Sequence, residues 1–255
     1  MIKHINLVLE SRVLIDVGGS TEGVTMKTIG LIGGMSWEST VTYYQIINKT
    51  VKEKLGGFHS AKCMIYSVDF HEIEALQSAG EWEKSGDIMV QAALSLERAG
   101  ADFIVICTNT MHKVVGQLEK EIHIPVLHIA EATAEVLINN GIKKAALLGT
   151  KYTMEQDFYK SRLIDKGIEV VIPDSQAIEF VNTTIYSELC LGIISEPSRT
   201  KLLKLIDTLA AQGAQGVILG CTEIGLLVNQ NDTQVPLFDT ALIHAQKAAL
   251  NSIGK

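Results

Sequence analysis

Short apolar runs alternate with longer stretches of helical periodicity along almost the whole chain. Candidate strands fall at 27–33, 62–68, 102–107, 125–128, 144–149, 168–172 and 215–220. Between them the spacing predicts helices over 37–54, 84–99, 111–121, 130–140, 154–166, 178–193, 198–212 and 239–250. The strand centres are unbroken apolar runs, as in Phe103-Ile104-Val105-Ile106. Such runs belong to strands covered on both faces. Strands alternating with helices at this spacing predict an α/β fold with mainly parallel sheets flanked by helices.

The pattern repeats. Ala99-Gly100-Ala101-Asp102-Phe103-Ile104-Val105-Ile106-Cys107-Thr108-Asn109-Thr110 runs beside Gln212-Gly213-Ala214-Gln215-Gly216-Val217-Ile218-Leu219-Gly220-Cys221-Thr222-Glu223. Ile29-Gly30-Leu31-Ile32-Gly33 and Ala145-Ala146-Leu147-Leu148-Gly149 match in the same order and at nearly the same offset. Two similar α/β lobes are therefore expected. The first is assigned 26–123 plus 232–255 and the second 124–231. Residues 1–25 form an N-terminal extension ahead of the regular pattern, with Gly18-Gly19-Ser20 as a flexible joint.

Composition narrows the function. Over 255 residues the net charge is −7, which argues against a nucleic-acid partner. The apolar N-terminal stretch is broken by Glu10, Arg12 and Asp16, so neither a signal segment nor a membrane span is expected. The four cysteines, Cys63, Cys107, Cys190 and Cys221, form no CxxC pair and no zinc spacing. Scattered thiols of this kind point to a cytoplasmic protein without a metal.

The chemistry gathers where the duplicated strands end. Ligands of open α/β sheets bind beyond the carboxyl ends of the strands. One strand delivers Thr108-Asn109-Thr110 to that edge, and the other delivers Cys221-Thr222-Glu223. Free N–H groups at the following helix starts favour a carboxylate substrate and would stabilise a thiolate at Cys221. A buried, inert role for Cys221 is the alternative. Cys107, one residue before Thr108, should point to the opposite face. No GxGxxG or P-loop spacing is present, so no nucleotide cofactor is expected.

Three ordered motifs make the resemblance specific: Gly33-Gly34-Met35-Ser36, then Thr108-Asn109-Thr110-Met111-His112, then Gly220-Cys221-Thr222-Glu223. The chain resembles the aspartate/glutamate racemase family over essentially all of residues 26–250. That resemblance implies an active site between the two lobes, no cofactor, an amino-acid substrate and often a homodimer. It also implies catalysis by two groups on opposite sides of the α-carbon, one taking the proton and the other returning one. Here the matching positions are Thr108 and Cys221, where most relatives carry two cysteines. The Thr/Cys pairing implies an L-substrate preference, with Cys221 as the base and Thr108 as the weaker partner.

Further candidates for substrate contact are Met35, Ser36, Gln77, Asn109, Thr110, Thr150, Thr222 and Glu223. Ser36 reads equally as a helix cap, and Thr153 as a cap with Gln156 behind it. Glu223 either assists Cys221 or simply complements a helix N-terminus. His112 either tunes the site or sits on a helix surface. Aspartate-specific relatives carry an arginine after the second strand. Ser67-Val68-Asp69-Phe70-His71-Glu72 holds none, and Gln77 is the replacement candidate, with neutral rather than charge-assisted bonds. Two other functions fit the same residues: a single-cysteine decarboxylase or isomerase of the superfamily, and a non-catalytic amino-acid binder.

Overall fold

The computed structural model describes residues 25–255; the expected extension lies, but for Thr25, outside them. The first sheet contains β1 (Ile29–Gly33), β2 (Cys63–Ser67), β3 (Phe103–Ile106) and β4 (Val126–Leu127), in the order β2-β1-β3-β4. The second contains β5 (Lys144–Gly149), β6 (Glu169–Val171), β7 (Gly216–Gly220) and β8 (Leu237–Asp239), in the order β6-β5-β7-β8. Every pairing is parallel, and the two sheets have one topology. The central strands β1, β3 and β7 are buried at every residue, as unbroken apolar runs require.

Helices α1 (Trp37–Leu55), α2 (Phe70–Ser78), α3 (Trp82–Arg98) and α4 (Val115–Glu121) belong to the first half of the chain. The second half carries α5 (Ile129–Asn139), α6 (Lys151–Glu155), α7 (Asp157–Ile164), α8 (Ser175–Ser187), α9 (Glu196–Ala211), α10 (Ile224–Leu227) and α11 (Thr240–Ser252).

Two helices are exchanged between the lobes. α5 follows the first sheet, yet its Ile129, Ala130, Ala134 and Leu137 pack on Ala145, Leu147 and Ile218 of the second. α11 follows the second sheet, yet Ala241, Ala245, Ala248 and Ala249 pack on Ile29, Leu31, Phe103 and Val105 of the first. These alanines recur at helical spacing and form a thin apolar stripe, which lets the helix lie close to the strands. Each lobe thus closes its core with a helix from the other's end of the chain.

Strand pairing moves both lobe boundaries. Val126–Leu127, expected in the second lobe, pair with β3. Leu237–Asp239, expected in the first, pair with β7. β8 is only three residues long and α2 follows an irregular stretch, so neither shows a readable period in the sequence. The helix expected over 154–166 is two, α6 and α7, broken at Gln156. The one expected over 178–193 stops at Ser187; a 3-10 turn, Leu189–Leu191, and a left-handed Gly192 (φ 73°) follow.

Candidate active site

The carboxyl ends of β3 and β7 meet across one pocket. Thr108 lines it from the first lobe and Cys221 from the second. Met35, Gln77, Asn109, Thr110, Thr150 and Glu223, all expected from the sequence, line it too. Ser36 and Thr222 stand just behind the lining, bonded to Glu223. The turn holding Met35 and Ser36 depends on Gly34. With φ at 93°, a Cβ there would fall 2.2 Å from the Val68 carbonyl oxygen.

Glu223 is the hub of the site and is almost fully buried, at 5% exposure. Its Oε1 accepts from the hydroxyls of Ser36 and Ser39, each at 2.8 Å. Its Oε2 accepts from the Cys221 thiol at 3.0 Å and the Thr222 hydroxyl at 2.7 Å. Two serines of the first lobe therefore hold a carboxylate of the second against the thiol. Ser36 also caps α1, accepting from Ser39 N–H at 3.3 Å, as its capping reading expects.

The expected thiolate-stabilising N–H is present, a backbone hydrogen bond at Glu223 that favours the thiolate, but it is outweighed. α10 has only four residues, and Glu223 places a carboxylate beside the sulfur. Burial first, then Glu223 and then Cys190, push the Cys221 thiol well above its usual range. Cys107 faces away, into the core with Tyr43, Ile47 and Ala245, and burial raises its thiol as well.

Behind Thr108 lies a layer of buried histidines. The ring of His112, at 3% exposure, is 4.6 Å from that of His128 and 5.7 Å from that of His244. His112 Nδ1–H donates to the Thr108 carbonyl at 2.8 Å, while its Nε2 accepts from Ile129 N–H at 3.2 Å. His112 is thus neither on a surface nor in the pocket lining; it fixes the backbone at Thr108.

Thr150, not Thr153, caps α6: its hydroxyl accepts from Thr153 N–H at 3.3 Å. The Thr110 and Thr153 hydroxyls each lie 3.1 Å from that of Thr150, which links the lobes on the other side of the pocket. Gln77 is buried, and its Nε2 donates to Met111 Sδ at 3.0 Å.

Phe70, Ile185, Tyr186 and Cys190 also line the pocket, and sequence reasoning missed them. Gly192 was the available signal that a helix ended near Cys190. Burial, then Glu223 and Glu38, push Cys190 up to about 12. Among the described residues lining the pocket there is no lysine or arginine. Among the described residues there is also no cluster of side chains fit to hold a metal, and no helix long and apolar enough to cross a membrane.

A hydroxyl and a carboxylate-bonded thiol thus stand at matching strand ends of two lobes of one topology. The sequence profile of the Asp/Glu/Hydantoin racemase family matches residues 32–248. The chain belongs to this family, and so to the amino-acid racemases, a class of isomerase. It is similar to a candidate Asp/Glu racemase of Yersinia pestis, with 58% identity and a TM-score of 0.84 over 89% of this chain and 99% of that one. An aspartate racemase homologue of Pyrococcus horikoshii is 38% identical, with a TM-score of 0.78 and the same coverage, 89% and 99%. The broad specificity amino-acid racemase RacX of Bacillus subtilis is 26% identical over 84% of this chain and 92% of its own length.

Proposed function

We propose that the protein racemises aspartate and glutamate without a cofactor, with Cys221 as the base for the L-enantiomer and Thr108 as the acid on the opposite face. The observation that carries this reading is one pocket lined from two strand ends by Thr108 and by a Cys221 thiol already bonded to Glu223. Cys221 passes its proton to Glu223 Oε2 and, as thiolate, takes the α-proton. The pocket's amide and hydroxyl groups hold the substrate carboxylate while charge builds on the α-carbon. The Thr108 hydroxyl donates its proton to the other face and regains one from water, and the hydroxide left is neutralised by the proton that Glu223 releases. A substrate ammonium near Glu223 offsets the charge that holds the thiol protonated, so substrate binding itself eases thiolate formation.

Exchange of the α-proton in D2O, followed by NMR on L- and D-aspartate and L- and D-glutamate, tests the reading. Cys221 and Thr108 differ in strength as bases, so L-substrates should exchange faster than they invert. No exchange with any of the four would overturn it and return decarboxylation or simple binding to consideration.

A lining without lysine or arginine favours a second reading, in which uncharged side chains lie against Phe70, Ile185 and Tyr186. The name of the Bacillus subtilis relative agrees with it. L-Alanine, L-serine and L-methionine in the same assay separate the two readings: faster exchange than with aspartate supports the second.

A further inference from the structure

Thr240 opens α11 and is fully buried, at 0% exposure. Its hydroxyl donates to the Leu219 carbonyl at 2.8 Å and lies 3.0 Å from Asn109 Nδ2. A hydroxyl has one proton, and a carbonyl can only accept. With that proton committed to Leu219, Thr240 can only accept from Asn109. This determines which end of the Asn109 amide is which: the NH2 group faces Thr240 and the oxygen faces away. Asn109 is 2% exposed and lines the pocket, and its Oδ1 is buried without a hydrogen-bond partner among the described residues. A buried amide oxygen left unpaired is costly, which makes it a place where a ligand donor belongs.

The same hydroxyl joins the two strand ends. Asn109 adjoins Thr108, and Leu219 lies two residues before Cys221. We infer that Thr240 is a positioning residue: it holds the Asn109 amide with its oxygen available to the substrate ammonium, and it ties the Thr108 end of β3 to the Cys221 end of β7. A reversed amide would present two donors to an ammonium group and repel it. This inference rests on the racemase reading above.

The test compares Thr240→Val, Thr240→Ser, Asn109→Ala and the Thr240→Val/Asn109→Ala double variant of the full chain. The readouts are KM and kcat on L-aspartate and L-glutamate, calorimetric binding of L-aspartate, and urea unfolding as a check on the fold. The valine variant is expected to raise KM and Kd about tenfold to a hundredfold, the range for a lost bond to a charged group. The serine variant, which keeps the hydroxyl, should stay within about threefold of wild type, since the same bond is retained. In the Asn109→Ala background Thr240→Val should weaken binding no further, because its effect runs through that amide.

Wild-type KM and Kd in Thr240→Val would overturn the inference. So would equal damage from serine and valine, which would mean a packing role, or losses that multiply in the double variant. Absence of turnover and exchange in the wild type would sink the racemase reading alone, because the binding comparison still reads Thr240. If the wild type also fails to bind L-aspartate, the inference falls with it.

Discussion

Lowering the pH should unfold this protein through its buried histidines. Every ring nitrogen whose partner is identified is committed to a neutral tautomer. His112 Nε2 accepts from Ile129 N–H, and His128 Nδ1 accepts from Ala130 N–H at 3.2 Å. His244 Nε2–H donates to the Leu127 carbonyl at 2.7 Å, and in the neutral ring that burial favours Nδ1 accepts from the Tyr43 hydroxyl at 2.9 Å. Burial is the largest cause of the shift in all three. It takes His128 to about 3 and His244 to about 4, and, with the neighbouring rings, holds His112 well below its ordinary value.

The sign follows from linkage. A histidine whose folded pKa is depressed binds its proton more readily in the unfolded chain. Stability is then full above about pH 6.5 and falls as the pH drops from there toward the folded values. At pH 5.0 each ring kept neutral forgoes about 2 kcal/mol, being ~1.5 units at about 1.36 kcal/mol each. Three rings amount to about 6 kcal/mol, a large share of the ~5–15 kcal/mol that typically holds a domain. Between pH 5 and 6 the unfolded chain binds about 2.7 more protons at these sites, a slope of about 4 kcal/mol per pH unit. Asp239, raised by burial, works in the opposite direction, but near its own lower range.

Urea unfolding at pH 5.0, 5.5, 6.0 and 7.5 and constant ionic strength measures that slope. His128→Asn keeps an acceptor at the N-cap of α5 while removing one ring. It should reduce the slope by about one proton, or about 1.4 kcal/mol per pH unit. A wild-type slope of less than one proton's worth would show that the rings do not stay neutral, and would refute the argument.

Three further outcomes are expected at the site. Glu223→Gln removes the acceptor of the Cys221 proton, so turnover should fall about a hundredfold to ten-thousandfold. The thiol pKa, read by thiolate absorbance, should fall too, because the charge that raises it is gone; an unchanged rate would rule out Glu223 as the acceptor. Thr108→Cys supplies a stronger second acid/base and should raise kcat/KM about tenfold or more. Enantiomers interconvert with an equilibrium constant of one, so the gain must be equal for L- and D-aspartate; no gain would reject the role given to Thr108. Gln77→Arg puts a charge-assisted donor in a lining that has no lysine or arginine among the described residues, and should shift kcat/KM toward aspartate over alanine by about tenfold to a hundredfold. Unmoved selectivity would place the substrate side chain elsewhere.

The sequence displayed the strand ends well and the loops poorly, for a physical reason. β3 and β7 are deeply apolar and stop abruptly at Thr108-Asn109 and Cys221-Thr222, so the change from core to chemistry is written in the chain itself. Met35 and Thr150 followed from the turns after neighbouring strands, and Gln77 from the family resemblance. Cys190 and Tyr186 did not, because apolar residues continue past the end of α8 through Leu189, Leu191 and Ile193 and mask the stop that Gly192 signals. Thr240 was hidden behind a three-residue strand with no period to read. The lobe bounds read from the sequence already put the α5 stretch with the second lobe and the α11 stretch with the first; the alanine stripe itself records only that a helix packs closely, not which sheet it packs against.

Duplication with unequal ends also bears on mechanism. Gly33 and Gly149 stand at equivalent strand ends, and a Cβ on either would press on a threonine of the next helix, Thr40 or Thr153. That backbone likeness does not extend to the acid/base groups. The second lobe contributes both a thiol and the carboxylate that accepts its hydrogen bond. The first contributes Thr108, with its backbone held by His112, and two serine hydroxyls directed at the other lobe's carboxylate. A hydroxyl is too weak an acid to hold the negative charge of a base near neutral pH, so the proposed mechanism predicts efficient proton removal from one face only. The first lobe's polar groups thus act on the second lobe's base more than they replace it. This is why exchange without inversion, rather than inversion itself, is the sensitive measure of Cys221.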